Sequence, residues 1–363
     1  ARRRGLEIVG DIELFARAVD APVAGITGTN GKSTVTTLLG RMASRAGVKV
    51  RVGGNLGEPA LDLLAPADAA GEAVGLYVLE LSSYQLEATH SLDLAAAVVL
   101  NVTPDHLDRY ASVADYAAAK ARIFARCDTA VINLDDPLVA AMPRPGQRTL
   151  SFSLRATIGA DFAVAIREGG TWLMRRGDPL LPMSAMRIRG LHNAANALAS
   201  LALGEALGLP LSVMLAELQE FPGLDHRTQW IAEVAGVTYI DDSKGTNVGA
   251  TIAAVAGMEG PLVIIAGGDG KNQDFAPLAA AFRGKVHHAV LIGRDGRLVG
   301  NVLRGHCSIE YCASLEEAVQ AAAAAARPGD TVLLSPACAS LDMFRDYTHR
   351  GAVFAQAVRE LSA

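Results

Sequence analysis

A run of seven residues, Gly28-Thr29-Asn30-Gly31-Lys32-Ser33-Thr34, has the residue types and spacing of a loop that binds a polyphosphate. It lies between a short apolar segment, residues 23–26, and a helical pattern over residues 35–46. Backbone N–H groups of such a loop surround phosphate oxygens at a helix N-terminus, the lysine reaches the terminal phosphates, and the serine hydroxyl binds Mg²⁺. The run therefore predicts a nucleotide site rather than a plain glycine turn, although Ile26 stands where the strict Walker A pattern has glycine.

Three polar residues follow apolar segments in the same half of the chain. Glu80 lies at the end of the segment 76–81, and a carboxylate there would lie near the glycine loop, where Mg²⁺ needs an oxygen ligand. A solvent-exposed glutamate at a strand end is the alternative. His106, after the segment 95–101, either binds a metal or a phosphate or is structural. Asn55, after two glycines, either donates its amide to a phosphate or substrate oxygen or is a turn residue.

Lys120 lies in an apolar helical segment, residues 116–124. An exposed helix lysine is the simpler interpretation, but the apolar neighbours predict partial burial. Burial lowers the pKa of a lysine, and the neutral amine can react with carbon dioxide. The resulting carbamate would be a metal ligand similar to a carboxylate.

The second half of the chain carries further candidates for ligand binding. Arg227 follows a Phe-Pro-Gly boundary and would neutralise charge on nucleotide phosphates. Asp242 follows an apolar segment, where it would bind a ribose hydroxyl or cap a helix. Lys271 offers a cation for a carboxylate, and Ser340 can hydrogen-bond a small ligand. Cys338 fits a packed small apolar residue better than a nucleophile.

These residues need a scaffold, and the alternation of short apolar segments with helical patterns predicts an α/β fold with mostly parallel sheets. We expect a tail and linker over 1–20, a P-loop-type domain over 21–222 and a Rossmann-like domain over 223–363. Hairpin-like segments within 149–190 predict a small β insert packed on the first domain. Ligands of open α/β sheets bind at the carboxyl ends of the strands, where most of the candidate residues fall.

The composition limits the kind of protein. The 363 residues are enough for two domains, and the 50% hydrophobic content provides a core for each. A net charge of −5 argues against a dedicated nucleic-acid-binding protein, and no apolar run approaches the length of a transmembrane helix. The four cysteines lack paired metal spacing and predict reduced thiols in a cytoplasmic protein. The basic N-terminal run is not followed by an apolar segment, so it is not a secretory signal.

Together these motifs resemble the Mur ligases, the ATP-dependent amino-acid ligases of peptidoglycan precursor synthesis, from about Leu6 to the C-terminus. The run 28–33 matches the family's form of the phosphate loop, which accounts for Ile26. The stretches 80–86, 226–227, 242–247 and 335–340 are similar to those of the branch that joins D-glutamate to UDP-N-acetylmuramoyl-L-alanine. The family normally has a further N-terminal domain that holds uridine diphosphate, and residues 1–20 resemble its tail and linker.

The resemblance implies a role for each matching residue. The catalytic residues would be Lys32, Glu80, His106, Lys120 and Arg227. ATP would contact Gly28, Thr29, Asn30, Gly31, Lys32, Ser33, Thr34, Asn193, Arg227 and Asp242. The substrates would contact Asn55, Lys244, Thr246, Lys271, Ser340, Leu341 and Tyr347, the last standing where the family often has phenylalanine. Two Mg²⁺ ions would be held by Ser33, Glu80, His106 and Lys120, the lysine as a carbamate.

The implied reaction passes through an acyl phosphate and needs closure of the two domains about residues 221–223. Its partners would be small molecules, with no nucleic acid and no membrane, and the chain would be a monomer. Two other activities stay open: a nucleotide-binding fragment without full activity and a ligase that uses L-glutamate. The stretch 335–340 argues against a related ligase that uses folate or another muramoyl peptide, and the motifs of the glutamate pocket argue against a P-loop motor or switch.

Overall fold

The structure is a computed structural model that describes residues 8–64, 73–107, 109–155, 159–188, 190–258 and 260–361. The first seven residues of the expected linker lie outside the described residues. The chain forms two compact units. Unit 1 comprises the residues up to Thr103 together with Ser112–Pro222, and unit 2 comprises Pro104–Ala111 together with the residues from Gly223 onward.

Unit 1 is built on one sheet. Its described strands lie in the order β2-β3-β1-β4-β5-β6-β7-β8-β9, where neighbours from β2 to β7 are parallel and the last two pairs are antiparallel. The strands β1 and β3 are buried along their whole length, as expected of a parallel sheet covered on both faces. The strands are β1 (Val23–Thr27), β2 (Val50–Gly54), β3 (Leu76–Glu80), β4 (Leu94–Val99), β5 (Cys127–Asn133), β6 (Arg148–Ser153), β7 (Phe162–Arg167), β8 (Gly170–Arg175) and β9 (Asp178–Pro182).

The small β insert differs from the sequence expectation. Strands β6 to β9 form no separate layer but extend the main sheet, because β6 pairs in parallel with β5 along five residues. Four consecutive residues of β6, starting at Leu150, are buried, and the strand packs against a long alanine-rich helix. A strand buried in this way belongs inside a sheet, whereas the hairpin β7–β8 has the local antiparallel pattern that the sequence suggests.

The helices of unit 1 cover this sheet. Two of them, α2 and α7, are joined by ion pairs from Arg41 and Arg45 to Glu217 and from Arg45 to Glu220. The guanidinium of Arg41 also lies over the Phe221 ring, just before the last residue of unit 1. The helices are α1 (Asp11–Ala18), α2 (Lys32–Arg45), α3 (Ser83–Glu87), α4 (Val113–Ala121), α5 (Pro137–Ala140), α6 (Leu191–Ala206) and α7 (Leu211–Glu220).

A buried carboxylate holds α1 against the rest of unit 1. Glu13 accepts hydrogen bonds from the backbone N–H groups of His90 and Ser91, at 2.7 and 3.0 Å. The Ser91 hydroxyl and the Arg17 guanidinium donate to the same carboxylate. These bonds, the one from His90 foremost, lower the pKa of Glu13 from 4.5 to about 2.

We expect the substitution Glu13→Gln to lower the free energy of unfolding by about 1–3 kcal/mol near neutral pH, because several donors lose a charged acceptor. The folded-state pKa lies below the unfolded one. The stabilisation is therefore present above pH 4.5 and is lost as the pH falls through about 2. Urea unfolding at pH 7 and at pH 3 should show the difference between wild type and variant shrinking. The exposed Glu58→Gln is the control, and a difference that is constant down to pH 3 would contradict the prediction.

Unit 2 is built on a second sheet with the order β10-β11-β15-β12-β13-β14. The pair β10–β11 is antiparallel and the other pairs are parallel. The strands are β10 (Gln229–Val234), β11 (Val237–Asp241), β12 (Leu262–Gly267), β13 (Val286–Ile292), β14 (Ser308–Tyr311) and β15 (Thr331–Leu334). The helices are α8 (Val248–Gly257), α9 (Ala276–Phe282), α10 (Gly296–Leu303), α11 (Leu315–Ala325) and α12 (Tyr347–Glu360).

The core of unit 2 has two halves, one on each face of its sheet. Alternate strand residues point to opposite faces, so Ile240 and Ile264 pack with α8, α9 and α10, while Tyr239 and Val263 pack with α11 and α12. Cys338 is fully buried in the first half, which confirms its prediction as a packed small apolar residue, and burial raises the pKa of its thiol to about 12. In the described part of the chain no helix combines the length and apolar character needed to cross a bilayer.

Candidate functional site

The phosphate loop follows β1 and is held by the residues that follow β4. The N–H of Asn30 donates to Asn101 Oδ1 at 2.8 Å, and Asn101 Nδ2 donates back to the Asn30 carbonyl at 3.1 Å. Thr29 donates its N–H to the Asn101 carbonyl and exchanges hydrogen bonds with the backbone of Thr103. Lys32 Nζ donates to the carbonyls of Gly28 and Thr29, each at 2.9 Å. The loop is therefore ordered by neighbouring strand ends.

Helix α2 begins directly after a glycine whose backbone conformation would be strained with any other residue. Gly31 has a φ of 87°, and a Cβ there would lie 2.4 Å from Asn196 Oδ1. Asn196 lies on α6, where its amide also donates to Asn193 Oδ1 at 3.2 Å. The expected adenine contact, Asn193, is thereby connected to the loop through Asn196. Sequence reasoning missed Asn196, whose only signal was its spacing of three residues from Asn193 on one helix face.

Glu80 and Asn55 meet at the ends of β3 and β2. Asn55 Nδ2 donates to Glu80 Oε1 at 2.9 Å, and its N–H donates to the Glu80 carbonyl. Glu80 is 3% exposed, and its Oε2 is buried without a hydrogen-bond partner. A buried carboxylate oxygen in this state is costly unless a cation or water binds it. The carboxylate therefore fits the predicted Mg²⁺ ligand.

Lys120 is buried, as its apolar neighbours predicted. It is 1% exposed on α4, and its Nζ donates to the Gly28 carbonyl at 2.8 Å. The ammonium also lies 3.5 Å from Thr27 Oγ1 and 4.5 Å from the centre of the Tyr116 ring. The amine thus reaches the first residue of the phosphate loop, and its modification to a carbamate stays a prediction.

The remaining expected metal ligands are Ser33, buried in the first turn of α2, and His106, in the segment that belongs to unit 2. Across the residues that the structure describes, no group of three or more His, Cys, Asp or Glu side chains is placed to hold a metal ion. Mg²⁺ commonly uses one or two carboxylates together with waters and substrate phosphates. A Mg²⁺ ion at Glu80 would need such oxygens.

Asp105 is a site residue that sequence reasoning missed. It is buried, and it accepts hydrogen bonds from Lys271 Nζ at 2.8 Å and from Asn247 Nδ2 at 3.3 Å. Burial opposes its ionisation, but Lys271 and His106 outweigh burial and hold the pKa of Asp105 below its usual value. His106 has a φ of 55° and donates its N–H to Asp105 Oδ1. Asp105 thus makes hydrogen bonds with two of the predicted site residues, Lys271 and His106.

The expected substrate residues of unit 2 lie on the loops that follow β11, β12 and β15, except Tyr347, which is the first residue of α12. Lys244 Nζ lies 3.6 Å from the centre of the Tyr347 ring. The Lys271 and Ser340 loops are joined by backbone hydrogen bonds between Asp269 and Ala339. Ser340 is buried and Leu341 is 71% exposed. These loops, including Thr246 beside Lys244, lie together at the carboxyl ends of three neighbouring parallel strands.

Arg350 connects two of these loops and was not foreseen. Its guanidinium donates to the Ser243 hydroxyl at 3.0 Å, to the Ser243 carbonyl at 2.8 Å and to the Cys338 carbonyl at 3.2 Å. It is 1% exposed, and burial lowers its pKa to about 10. An arginine in a helix ordinarily indicates a solvent-exposed face, so the sequence carried no sign of this role.

Asp242 lies at the end of β11, beside the turn that carries Arg227. Asp242 Oδ2 accepts from the Ser335 hydroxyl at 2.7 Å, and Oδ1 accepts from the Thr228 N–H at 3.1 Å. Burial, the main cause, raises the pKa of Asp242 to about 7. The helix-cap alternative for Asp242 is wrong, because Asn247 caps α8.

An ion pair holds the turn before Arg227. His226 has a φ of 61° and Thr228 a φ of 51°, so the turn is strained on both sides of Arg227. His226 Nδ1 lies 2.6 Å from Asp241 Oδ2, and Asp241 Oδ1 accepts from the Ser243 N–H. The hydrogen bond with Asp241 raises the pKa of His226 above 6.5.

We expect Asp241→Asn to lower the free energy of unfolding by about 1–3 kcal/mol at pH 6, because the buried acceptor of a charged hydrogen bond is lost. The ion pair stabilises fully below pH 6.5, and this contribution is lost as the pH rises through the raised pKa of His226. Denaturant unfolding at pH 6 and pH 9 should therefore show a smaller difference at pH 9. In a His226→Gln background the effect of Asp241→Asn should change much less between pH 6 and pH 9, and a change as large as in the wild type would contradict the assignment.

Comparison with known proteins gives two family matches. The Mur ligase middle domain matches residues 26–204, and the Mur ligase, glutamate ligase domain, matches residues 226–338. A UDP-N-acetylmuramoylalanine–D-glutamate ligase of Methylococcus capsulatus is 53% identical over 362 residues, which cover 100% of this chain and 78% of that protein. A protein of the same name from Nitrosococcus oceani is 51% identical and covers 99% of this chain and 79% of its own length.

Solved structures resemble the chain at low identity. A pseudomurein peptide ligase type C from Methanothermus fervidus aligns with a TM-score of 0.74 and 17% identity, covering 96% of this chain and 80% of that one. A MurF ligase from Thermotoga maritima in complex with ADP aligns with a TM-score of 0.70 and 19% identity, covering 97% and 85%. At such identities the likeness establishes the α/β fold alone.

Proposed function

The chain belongs to the Mur ligase family, and on this premise we propose that it joins D-glutamate to UDP-N-acetylmuramoyl-L-alanine with ATP, as a monomer in the cytoplasm, in peptidoglycan precursor synthesis. The observation that carries the proposal is the identity of about half of all residues, along the whole chain, to ligases named for this reaction. The loop at residues 28–34 and the cationic loops of unit 2 are the two kinds of site that the reaction needs.

The reaction that we propose has three stages. The substrate carboxylate attacks the γ-phosphorus of ATP, which forms an acyl phosphate and releases ADP. The amine of D-glutamate then attacks the carbonyl carbon, and the tetrahedral intermediate loses phosphate to leave an amide. Phosphoryl transfer of this kind requires positioning and charge neutralisation more than covalent participation by the protein.

Cations of the protein would neutralise the nucleotide. Lys32, whose ammonium already lies within the loop on the Gly28 and Thr29 carbonyls, would move to the terminal phosphates. Arg227 would bind phosphate, and Asp242 would accept a hydrogen bond from a ribose hydroxyl. Asn193 would contact the adenine ring. The remaining loop residues would donate their backbone N–H groups.

Bound Mg²⁺ would neutralise charge on the transferring phosphoryl group. Ser33, Glu80, His106 and Lys120 are its proposed ligands, and the orphaned Glu80 Oε2 is the observation in favour. Lys120 would serve as a carbamate: its neutral amine attacks the carbon of carbon dioxide, an N–C bond forms, and a proton is released. The Asn55 amide, which holds the other oxygen of Glu80, would also contact the muramoyl substrate.

D-Glutamate is a dicarboxylate, so its site needs cations and hydroxyl donors. Lys244, Thr246, Lys271 and Ser340 supply them on neighbouring loops, with Leu341 and Tyr347 at the edge. Lys271 is the central group, because it is only 18% exposed and is already paired with a carboxylate, Asp105. An incoming carboxylate would share or replace this partner.

Phosphate release with ATP, Mg²⁺ and UDP-N-acetylmuramoyl-L-alanine tests the proposal, with D-glutamate, L-glutamate or no amino acid added. Release that depends on D-glutamate, with formation of the amide product by mass spectrometry, is the expected result. Dependence on L-glutamate alone would change the specificity, and release without an amino acid would favour a motor or switch. If no phosphate is released with D-glutamate, with L-glutamate or without an amino acid, and ADP nevertheless binds tightly, the result would favour a nucleotide-binding protein without ligase activity.

A further inference from the structure

An exposed tryptophan lies beside the expected ribose contact. Trp230 is 61% exposed on β10, the edge strand of the unit 2 sheet. Burial of a large aromatic side chain is strongly favourable, so an exposed indole is able to gain binding energy from a ligand that covers it. The other face of β10 does have one: Ile231 and Ala232 pack against the core half formed with α11 and α12. The indole is on the opposite face of the strand, where it is exposed to solvent and belongs to neither core half.

The strand register places this indole on the same face as Asp242. Trp230 pairs directly with Ile240, and Ile240 packs with the core half that contains α8. Asp242 is two residues beyond Ile240, so its side chain returns to that face. The contacts agree, because Asp242 binds the Ser335 hydroxyl, which in turn binds Thr251 on α8. Trp230 and Asp242 are thus diagonal neighbours across an antiparallel pair, a relation that puts side chains about 7–8 Å apart.

The start of β10 is fixed against Asp242. The Thr228 N–H donates to Asp242 Oδ1, and the His226–Asp241 ion pair holds the turn in front of it. The distance from the carboxylate to the indole is therefore set by hydrogen bonds and not by a mobile loop. In a nucleotide the purine is bonded directly to the ribose. A purine whose ribose is bound at Asp242 is therefore close enough for the indole of Trp230 to contact it.

We propose that Trp230 is a binding residue for the nucleotide, and that its indole stacks on the purine ring whose ribose binds Asp242. The inference rests on the proposed function, because it takes Asp242 as the ribose contact. Stacking of a base on an aromatic ring needs a flat, exposed π-face and little else. The indole supplies this face and needs no hydrogen bonds to the edge of the base, while Asp242 and Arg227 recognise the ribose and the phosphates.

The two tryptophans of the chain make the proposal measurable. In Trp172→Phe, a change on β8 of unit 1, all tryptophan emission comes from Trp230. Titration with ADP in the presence of Mg²⁺ should quench this emission, whereas inorganic tripolyphosphate, which has no base, should bind without quenching. Competition of tripolyphosphate against ADP reports its binding. Unquenched emission at saturating ADP would overturn the inference.

Binding constants of Trp230→Ala give the second test, by calorimetry on the full chain. The Kd for ADP should rise about tenfold, within a range from about 5-fold to about 150-fold, while the Kd for tripolyphosphate stays unchanged. Trp230→Phe should keep much of the ADP affinity. Leu298→Ala, which removes another exposed apolar side chain of unit 2, should change neither constant.

The possible outcomes distinguish a failure of the stacking inference from a failure of the proposed function. If Trp230→Ala keeps its circular dichroism spectrum and binds ADP as the wild type does, the stacking inference falls and the proposed function stands. An equal loss of ADP and tripolyphosphate affinity would also overturn it, since it would mark a general defect of the site. A wild-type chain that binds neither ligand would overturn the nucleotide site and the inference together.

Discussion

Substitution of Lys32 with alanine should reduce ligation-dependent phosphate release by about 10²–10³-fold or more. This ammonium is the loop's own cation, and charge that develops on a transferring phosphoryl group is stabilised mainly by such preorganised groups. It is held within the loop by the carbonyls of Gly28 and Thr29, so only a short movement would bring it to a bound phosphate. The measurement is the initial rate of phosphate release at saturating ATP, D-glutamate and muramoyl substrate.

Two variants sharpen this test. Lys32→Arg should restore little activity, because a planar guanidinium does not replace a compact ammonium within a tight loop. Arg167→Ala removes a cation from an exposed strand end of the same unit and should leave the rate unchanged. A Lys32→Ala enzyme that keeps more than half of the wild-type rate would remove Lys32 from the catalytic residues.

Lys271→Ala should raise the KM for D-glutamate by about 10- to 100-fold and change kcat much less, because it removes a charge-assisted hydrogen bond to a substrate carboxylate. The same change leaves Asp105 buried without its cation, which costs about 3–5 kcal/mol of folding free energy. Initial rates against D-glutamate concentration measure the first effect, and denaturant unfolding measures the second.

A double variant separates the two effects. Lys271→Ala combined with Asp105→Asn removes both charges, so it should recover much of the lost stability while the KM for D-glutamate stays high. Asp105→Asn alone should leave Lys271 in place and should not raise that KM. An unchanged response to D-glutamate in both Lys271 variants would remove Lys271 from the proposed pocket.

Much of the scaffold was predictable from local pattern. The continuous apolar runs that became β1, β3, β12 and β15 end in polar or glycine residues, as buried parallel strands do. This pattern alone predicts that the phosphate loop and Glu80 lie at the same edge of a sheet. The burial of Lys120 was also predictable, because its helical neighbours are apolar over two turns, and the structure confirms it.

The misses have a common physical origin in contacts between distant parts of the chain. The partner of Lys271 lies 166 residues away, and those of Arg350 are on two separate loops. Neither pairing leaves a periodic signal in a single sequence. The place of β6 was missed because hairpin spacing fixes only the nearest neighbour, while the edge of the sheet that a hairpin joins depends on long-range packing. Strand β14, with exposed residues along its length, lacked an apolar run altogether.

The guanidinium of Arg350 has a consequence for how tightly unit 2 can hold a small ligand. By bonding Ser243 and Cys338 at once, it makes the loops that carry Lys244 and Ser340 parts of a single ordered body. Binding to loops that move independently must first remove their conformational freedom, and each immobilised side chain subtracts about 0.5–1.5 kcal/mol from the affinity. Here that entropy is already lost when the protein folds. A ligand as small as an amino acid, which makes few contacts, can therefore bind without having to order the loops that hold it.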